Sequence, residues 1–274
     1  SAKAMALIAA HDSPAVEYFE RRKVFSAPGL PVIAIPTTAG TGSEVNAFMV
    51  ATAPDRDSKI ACGPPQAFPK TAILDPELSI SLPKNQTAST GLDALSHAVE
   101  AYWTKNFQPV SDINALESIR LILRWLPAAV SDGADIEARS NMLLASMLAS
   151  LAFGSTGTGG PHGVSYPLTV RWNLDHGLAV AFTLPEFLER NLPLLGKQRA
   201  ERLSDALGAD SPGESIGVLR SFCESMGAPR SLGDIGIGKS DISSVVALSS
   251  RINLDNSPSP ITDKEVENIL LKKL

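Results

Sequence analysis

The chain has 274 residues, and its 24 lysines and arginines against 29 aspartates and glutamates give a formal net charge of −5. A mildly acidic chain without long basic clusters fits neither a nucleic-acid-binding protein nor one that binds anionic membrane surfaces. Two distant cysteines, no opening signal peptide and no apolar run of roughly 18 residues exclude a disulfide scaffold and a membrane-spanning helix, and predict a cytoplasmic protein.

The first 82 residues mix helix and strand patterns. Residues 1–10 have the apolar spacing of a helix without a capping sequence, so we expect the chain to start inside an element. The short apolar segment PVIAIP at 31–36, which is bounded by prolines, predicts a buried strand, and TAILDP at 71–76 is a second strand candidate. Residues 1–82 are therefore predicted to form a truncated α/β domain.

The Thr/Gly-rich turn PTTAGTGSE at 36–44 follows the first predicted strand. Its glycines allow close backbone approach and its threonine hydroxyls can donate to phosphate oxygens, so the turn can hold a nucleotide pyrophosphate. The pattern matches neither GxGxxG nor GxxxxGK[ST], and a turn without a ligand is the commoner interpretation.

Long helical periods dominate from residue 83 onwards, over 84–104, 110–129 and 135–152, and predict an all-helical second domain at 83–274. In the first of these helices Asp93 and His97 are four residues apart and therefore share one face. From that spacing alone, a solvated ion pair and a functional site are equally good interpretations.

Two further histidines, His162 and His176, each precede a glycine at the start of a predicted helix. With Asp93 and His97 they form a set of one carboxylate and three imidazoles, which suits Fe(II), Zn(II) or a similar divalent ion. Histidines that only make structural hydrogen bonds are the alternative. The fourth histidine, His11, is predicted to be a surface residue.

Six segments carry a family resemblance: IPTTAGTGSEV, AILDPELSISLP, TASTGLDALSHAVEAY, PHGVSYPL, DHGLAVAFTLPEFLERN and SPSPITDKEVENILLKKL. In this order they resemble the iron-containing (group III) alcohol dehydrogenases over nearly the whole chain. The resemblance implies a dehydroquinate synthase-like architecture, with an α/β dinucleotide-binding domain followed by an all-α domain. It implies that Fe(II), or Zn(II), is held by Asp93, His97, His162 and His176. It also implies that NAD(H) or NADP(H) contacts the turn and one lysine, through Thr37, Thr38, Gly40, Thr41, Gly42 and Lys59.

The chain departs from the family pattern in two places. The family's GGGSxxDxAK loop, which binds the pyrophosphate, is missing because the chain begins at SAK, where that motif ends. Two interpretations stay open: the chain is truncated, or the protein binds dinucleotide poorly. Tyr166 stands where many members have a histidine with a proton-relay role. We identify Tyr166 as the candidate catalytic residue, with packing as an equal alternative, since a tyrosine pKa near 10 makes a poor base at neutral pH.

The resemblance implies a metal-dependent alcohol dehydrogenase or aldehyde reductase that transfers hydride between NAD(P)(H) and a small primary alcohol or aldehyde. It also implies a homodimer or larger homo-oligomer. Phe48 and Phe153 are predicted walls of a substrate cleft between the domains. The segment SYPLT with Arg171 resembles the phosphonoacetaldehyde reductase branch, where Arg171 would pair with an anionic head group or simply be solvated. A cofactor-independent metal hydrolase or lyase and an inactive remnant are alternatives of other classes.

Overall fold

The computed structural model describes residues 2–53 and 58–274. The N-terminal part contains helices α1 (Ala2–Ile8) and α2 (Ala15–Phe19) and strands β1 (Ile33–Ala34), β2 (Met49–Ala53), β3 (Ser58–Cys62) and β4 (Thr71–Ala72). Strand β1 pairs in parallel with β4, and β2 pairs antiparallel with β3. The described residues thus contain two small two-stranded sheets in place of one extended sheet.

The two predicted strands exist, but they are only two residues long each. The prediction that the first is buried is wrong, because Ile33 and the neighbouring Ile35 are 64% and 47% exposed. A two-stranded sheet buries little apolar surface by itself, and the prolines at 31 and 36 cannot donate backbone hydrogen bonds that would lengthen the strand.

The expected helical part begins at residue 84, and the three long predicted helices are confirmed with shifts of a few residues at their ends. The helices are α3 (Lys84–Trp103), α4 (Pro109–Ser131), α5 (Ile136–Thr156), α6 (Gly160–Arg171), α7 (His176–Asn191), α8 (Lys197–Ala206), α9 (Pro212–Ser225), α10 (Ile242–Leu248), α11 (Arg251–Leu254) and α12 (Asp263–Leu271). No single helix in the described ranges is long and apolar enough to cross a membrane, although α5 and α6, bent by 107° at their junction, pass that test as a pair.

Helix α3 lies at the centre of the helical part and packs against α4, α5 and α7. Its apolar side chains, among them Leu92, Leu95 and Val99, are fully buried. Asp93 and His97 are only 4% and 5% exposed, which excludes the solvated ion pair that their spacing alone allowed. A buried carboxylate and imidazole must find partners inside the protein, because leaving them unpaired is costly.

The Thr/Gly turn is held against α5 by two serine hydroxyls. Ser146 Oγ donates to the Gly40 carbonyl at 3.1 Å, and Ser150 Oγ donates to the Gly42 carbonyl at 2.8 Å. Gly42 has a φ of +54°, and a Cβ there would lie 2.2 Å from the Cβ of Ser150. Glycine is therefore required at position 42 both for its left-handed backbone and for the close approach to α5.

His11 is not the surface residue that the sequence suggested. Its ring is half-buried, Nδ1 lies 2.7 Å from the carbonyl oxygen of Leu7, and Nε2 accepts from the amide of Ala27 at 3.4 Å. The ring also meets Tyr18 and Phe25 edge-on, at centroid distances of 5.4 and 5.3 Å. His11 therefore joins α1 to the segment that follows α2.

Candidate metal centre

Three helices bring the four predicted ligands to one place. Asp93 and His97 lie in the middle of α3, His162 is in the first turn of α6, and His176 is the first residue of α7. Each of the latter two precedes a glycine for a packing reason. A Cβ on Gly177 would lie 1.7 Å from the carbonyl oxygen of Ser89 in α3, so only glycine lets α7 begin so close to that helix.

The ligand atoms surround Asp93 Oδ1. His162 Nε2 lies 3.5 Å from this oxygen, His97 Nδ1 3.7 Å and His176 Nε2 3.8 Å. Two ligands at ordinary zinc bond lengths in a tetrahedral arrangement lie ~3.4 Å apart, so these separations suit groups around a common ion. The tightest group is Asp93, His162 and His176, whose ligand atoms all lie within 4.8 Å of one another. His97 joins them through Asp93 and by stacking on His162 at a centroid distance of 4.4 Å.

Three of these atoms are buried without a hydrogen-bond partner among the described residues: Asp93 Oδ1, His97 Nδ1 and His162 Nε2. Buried polar atoms are nearly always hydrogen-bonded, and each exception needs an explanation. Three adjacent exceptions of ligand chemistry, one carboxylate oxygen and two imidazole nitrogens, are explained together by a cation between them. The residues present therefore fit a divalent metal ion.

The protonation states of Asp93 and His97 agree with this interpretation. Burial alone would raise the pKa of Asp93, but the nearby imidazoles of His97, His162 and His176 hold it below its usual range. Burial lowers the pKa of His97 to about 3, against the opposing charge of Asp93. At neutral pH Asp93 is thus ionised and His97 is neutral, and these are the forms that bind metals.

A carboxylate next to His162 was not assigned a role from the sequence. Glu100 is fully buried, its Oε1 lies 2.5 Å from His162 Nδ1, and its Oε2 accepts from the backbone amide of Gly159 at 2.7 Å. Burial would lower the pKa of His162, but Glu100 raises it to about 9. The available signal was the spacing: Glu100 follows Asp93 by seven residues, two helical turns along the same face.

The predicted cofactor residues lie on the Thr/Gly turn next to this centre. The side chains of Thr37 and Thr41 are exposed and that of Thr38 is half-buried, whereas Gly40 and Gly42 are buried against α5. The ring of His97 also donates to the Gly40 carbonyl, which connects the turn to the ligand set. The side chain of Lys59, in β3, is outside the described part of the structure.

Two aromatic residues extend the centre on the side of His97. The Phe153 ring stacks on His97 at 4.1 Å, and the Phe48 ring stacks on Phe153 at 5.7 Å. Phe48 is exposed, so this column runs from the surface to the ligands. The predicted wall residues are therefore adjacent to the candidate metal centre.

Tyr166 and Arg171 both lie on α6 but differ in their distance from the centre. Tyr166 follows His162 by one helical turn and is half-buried, and burial, together with the charges of Glu100 and Asp93, raises its pKa to about 12. Arg171 ends the helix, roughly 14 Å from His162 at 1.5 Å per residue. Its side chain is exposed to solvent and donates to the hydroxyl of Ser244.

Comparisons with known proteins identify relatives along the whole chain. The sequence profile described as iron-containing alcohol dehydrogenase matches residues 1–76, and that of the Fe-containing alcohol dehydrogenase family, C-terminal, matches residues 87–274. Long-chain-alcohol dehydrogenase 1 of Geobacillus thermodenitrificans is 36% identical over 280 residues, covering 98% of this chain and 70% of that protein. NAD-dependent methanol dehydrogenase of Bacillus methanolicus is 36% identical over 88% of this chain and 65% of its own length.

A solved structure is similar over nearly the same extent. The sulfoacetaldehyde reductase of Bifidobacterium kashiwanohense in complex with NAD+ superimposes with a TM-score of 0.93 at 34% identity, covering 99% of this chain and 72% of the other. The chain therefore spans between 65% and 72% of the length of these three relatives.

Proposed function

Because the chain belongs to the iron-containing alcohol dehydrogenase family, we propose that it transfers hydride between a nicotinamide cofactor and a small alcohol or aldehyde. Such an enzyme is an oxidoreductase acting on CH–OH groups. The observation that carries the proposal is the group of unpartnered ligand atoms on Asp93, His97 and His162. The relatives support the cofactor, since one is named NAD-dependent and another was solved with NAD+.

The ion would be held by Asp93, His97, His162 and His176. A divalent metal bound there would supply a Lewis acid that polarises the substrate oxygen, and a bound nicotinamide would supply or accept the hydride. Binding of the ion would displace the proton from His162, and one carboxylate with three neutral imidazoles would then compensate only part of the divalent charge. The site as a whole therefore stabilises the negative charge that develops on the substrate oxygen during the reaction.

Residues 1–82 contribute the cofactor side of the site and residues 83–274 the metal side. The exposed hydroxyls of Thr37 and Thr41 are available to donate to the cofactor, while buried Gly40 and Gly42 keep the backbone close. Ser146 and Ser150 fix the turn to α5, and a Cβ on Gly40 would lie 3.0 Å from the Cβ of Thr90 in α3, so a cofactor on this turn would lie near the ligands. This is the proximity that direct hydride transfer requires.

Tyr166 holds its proton at neutral pH, because burial raises its pKa to about 12. It is therefore a hydrogen-bond donor to the substrate oxygen and not a general base. In aldehyde reduction a donor at this position stabilises the developing alkoxide. Phe153 and Phe48, stacked from His97 outwards, form an apolar wall of the site and favour a small aliphatic chain over a charged one.

An aldehyde with an anionic head group is a second candidate substrate, supported by the 34% identity and TM-score of 0.93 to a sulfoacetaldehyde reductase. Phosphonoacetaldehyde has the same chemical character. Arg171 is exposed and lies roughly 14 Å along α6 from His162, so we propose that another cation pairs with the head group. Comparing propionaldehyde with sulfoacetaldehyde and phosphonoacetaldehyde as substrates distinguishes the two proposals.

Metal content and nicotinamide turnover test the proposal together. The purified chain, reconstituted anaerobically with Fe(II) or Zn(II), should hold about one ion, and His162→Ala and His176→Ala should each bind it less tightly, because each variant removes one of the four ligand groups. The loaded chain should then oxidise NADH or NADPH in the presence of aldehyde. A reconstituted chain that binds no metal would overturn the metal centre. A metal-loaded chain that hydrolyses its substrate without nicotinamide would favour the hydrolase class.

A further inference from the structure

We propose that Glu100 is a positioning residue of the metal centre, which orients the ring of His162 toward the ion and closes the N-terminus of α6 with the same carboxylate. The inference rests on the proposed metal centre. It concerns a residue two helical turns from Asp93 that contacts one ligand and none of the reacting atoms.

The first step concerns the two nitrogens of the His162 ring. Nδ1 lies 2.5 Å from Glu100 Oε1, so this nitrogen donates its proton to the carboxylate. Nε2 lies on the other side, 3.5 Å from Asp93 Oδ1 and without a hydrogen-bond partner in the described chain. A ligand histidine commonly donates its second N–H to a carboxylate, which fixes the tautomer and the ring orientation and increases the basicity of the ligand atom.

The second step concerns the start of α6. The first amides of a helix have no partner within the helix, and a side chain at the position before the helix usually supplies one. Here that position is Gly159, which has no side chain to offer. Glu100 Oε2 takes the role of the missing capping side chain. It accepts from the amide of Gly159 at 2.7 Å and from that of His162 at 3.4 Å. A negative charge at this end of the helix is also favourable.

The third step concerns how firmly the carboxylate is held. A Cβ on Gly159 would lie 3.4 Å from Glu100 Oε2 and 3.3 Å from Trp103 Nε1, so the turn is in close contact with both side chains. The amide of Asn256 donates to the carbonyls of Thr156 and Thr158 at 2.9 and 3.0 Å and fixes the same turn from the other side. One carboxylate thereby orients both the backbone and the ring of His162.

The test is Glu100→Gln, which preserves size and leaves an amide oxygen for the Gly159 amide. Its NH₂ group would face His162 Nδ1 and favour the opposite tautomer, with a proton on Nε2. We expect the Zn(II) dissociation constant, measured by competition with a chromophoric chelator, to rise about 10- to 100-fold, the usual effect of losing such a partner. The matched control is Glu186→Gln, another buried glutamate, paired with Lys273 at 3.5 Å and Arg220 at 3.4 Å and remote from the ligands. This control should lower thermal stability and leave the Zn(II) dissociation constant unchanged.

Proton and nitrogen NMR of the zinc-loaded protein gives a signature that a purely structural role would not produce. The wild type should show a far-downfield Nδ1 proton on His162, which Glu100→Gln should lose. Equal zinc affinity in wild type and Glu100→Gln, an equal loss in Glu186→Gln, or no downfield proton in the wild type would each overturn the inference. If Glu100→Gln does not fold, the inference is tested instead by the Zn(II) dissociation constant of Glu100→Asp and by the Nδ1 proton in the wild-type spectrum. A wild type that binds no zinc, or a His162→Ala variant that binds it equally, refutes the metal centre itself.

Discussion

Gly177→Ala is expected to push the start of α7 away from α3 and to abolish tight metal binding. The added Cβ would lie 1.7 Å from the carbonyl oxygen of Ser89, whereas ordinary contact begins at 3.4 Å. The helix must therefore shift by roughly 3.4 − 1.7 = 1.7 Å at this point, and His176, the adjacent residue, moves with it. Ligand distances in metal sites are held within about 0.2 Å. We also expect a loss of folding free energy of about 3 kcal/mol, at the upper end of the range for overpacking.

Urea unfolding with and without Zn(II) measures both effects. The wild type should gain stability from zinc, by about 2.7 kcal/mol when the free ion is at 100 times its dissociation constant, whereas Gly177→Ala should gain almost none. The matched control is Gly217→Ala in α9, where a Cβ would meet nothing within 4 Å. This control should be more stable than wild type by about 0.5–1 kcal/mol, because alanine is the better helix former. A Gly177→Ala protein that is as stable as wild type and gains as much from zinc would refute the close approach of α7 to α3.

Two further outcomes follow from Tyr166 and Lys3. Tyr166→Phe should lower kcat for aldehyde reduction by about 10²-fold or more while leaving the zinc dissociation constant unchanged, and an unaltered kcat would make Tyr166 a packing residue. Burial lowers the pKa of Lys3 to about 8 from 10.5, against the opposing charge of Glu44. A lysine pKa that is lower in the folded state means that folding is penalised while the amine is charged, so this contribution to stability improves as pH rises from about 8 to 10.5. Urea unfolding across this range should show the increase in wild type and a flatter profile in Lys3→Met. Identical slopes in the two proteins would contradict the assignment.

Helical periodicity was the most informative signal in the sequence, and the structure shows why. Helices α3, α4 and α5 bury continuous apolar faces, so their pattern identifies them without tertiary information. The β2–β3 hairpin was not predicted, because MVATA and SKIAC are short and only weakly alternating. The length of β1 was overestimated because apolar composition does not reveal how many neighbouring strands a segment will find.

The four candidate ligands were found from residue types and spacing together with a family resemblance, and the structure brings them together; their role as ligands stays a prediction. Glu100 was present in the same segment but received no role. Its function depends on contacts with Gly159 and His162 about 60 positions away in the chain, and no local pattern reports such contacts. For the same reason His11 was expected at the surface, although Leu7 and Ala27 both hydrogen-bond its ring.

The peptide group of Gly40 is part of both the proposed metal centre and the proposed cofactor site. Its carbonyl accepts from Ser146 Oγ and from the ring of His97, and the turn that contains it carries the threonines proposed to contact the cofactor. Binding sites that share a structural group are thermodynamically linked, and the linkage is reciprocal. If bound dinucleotide changes the affinity for metal by some factor, bound metal changes the affinity for dinucleotide by the same factor. Where this coupling is favourable, a chain depleted of metal binds dinucleotide less tightly by the same factor.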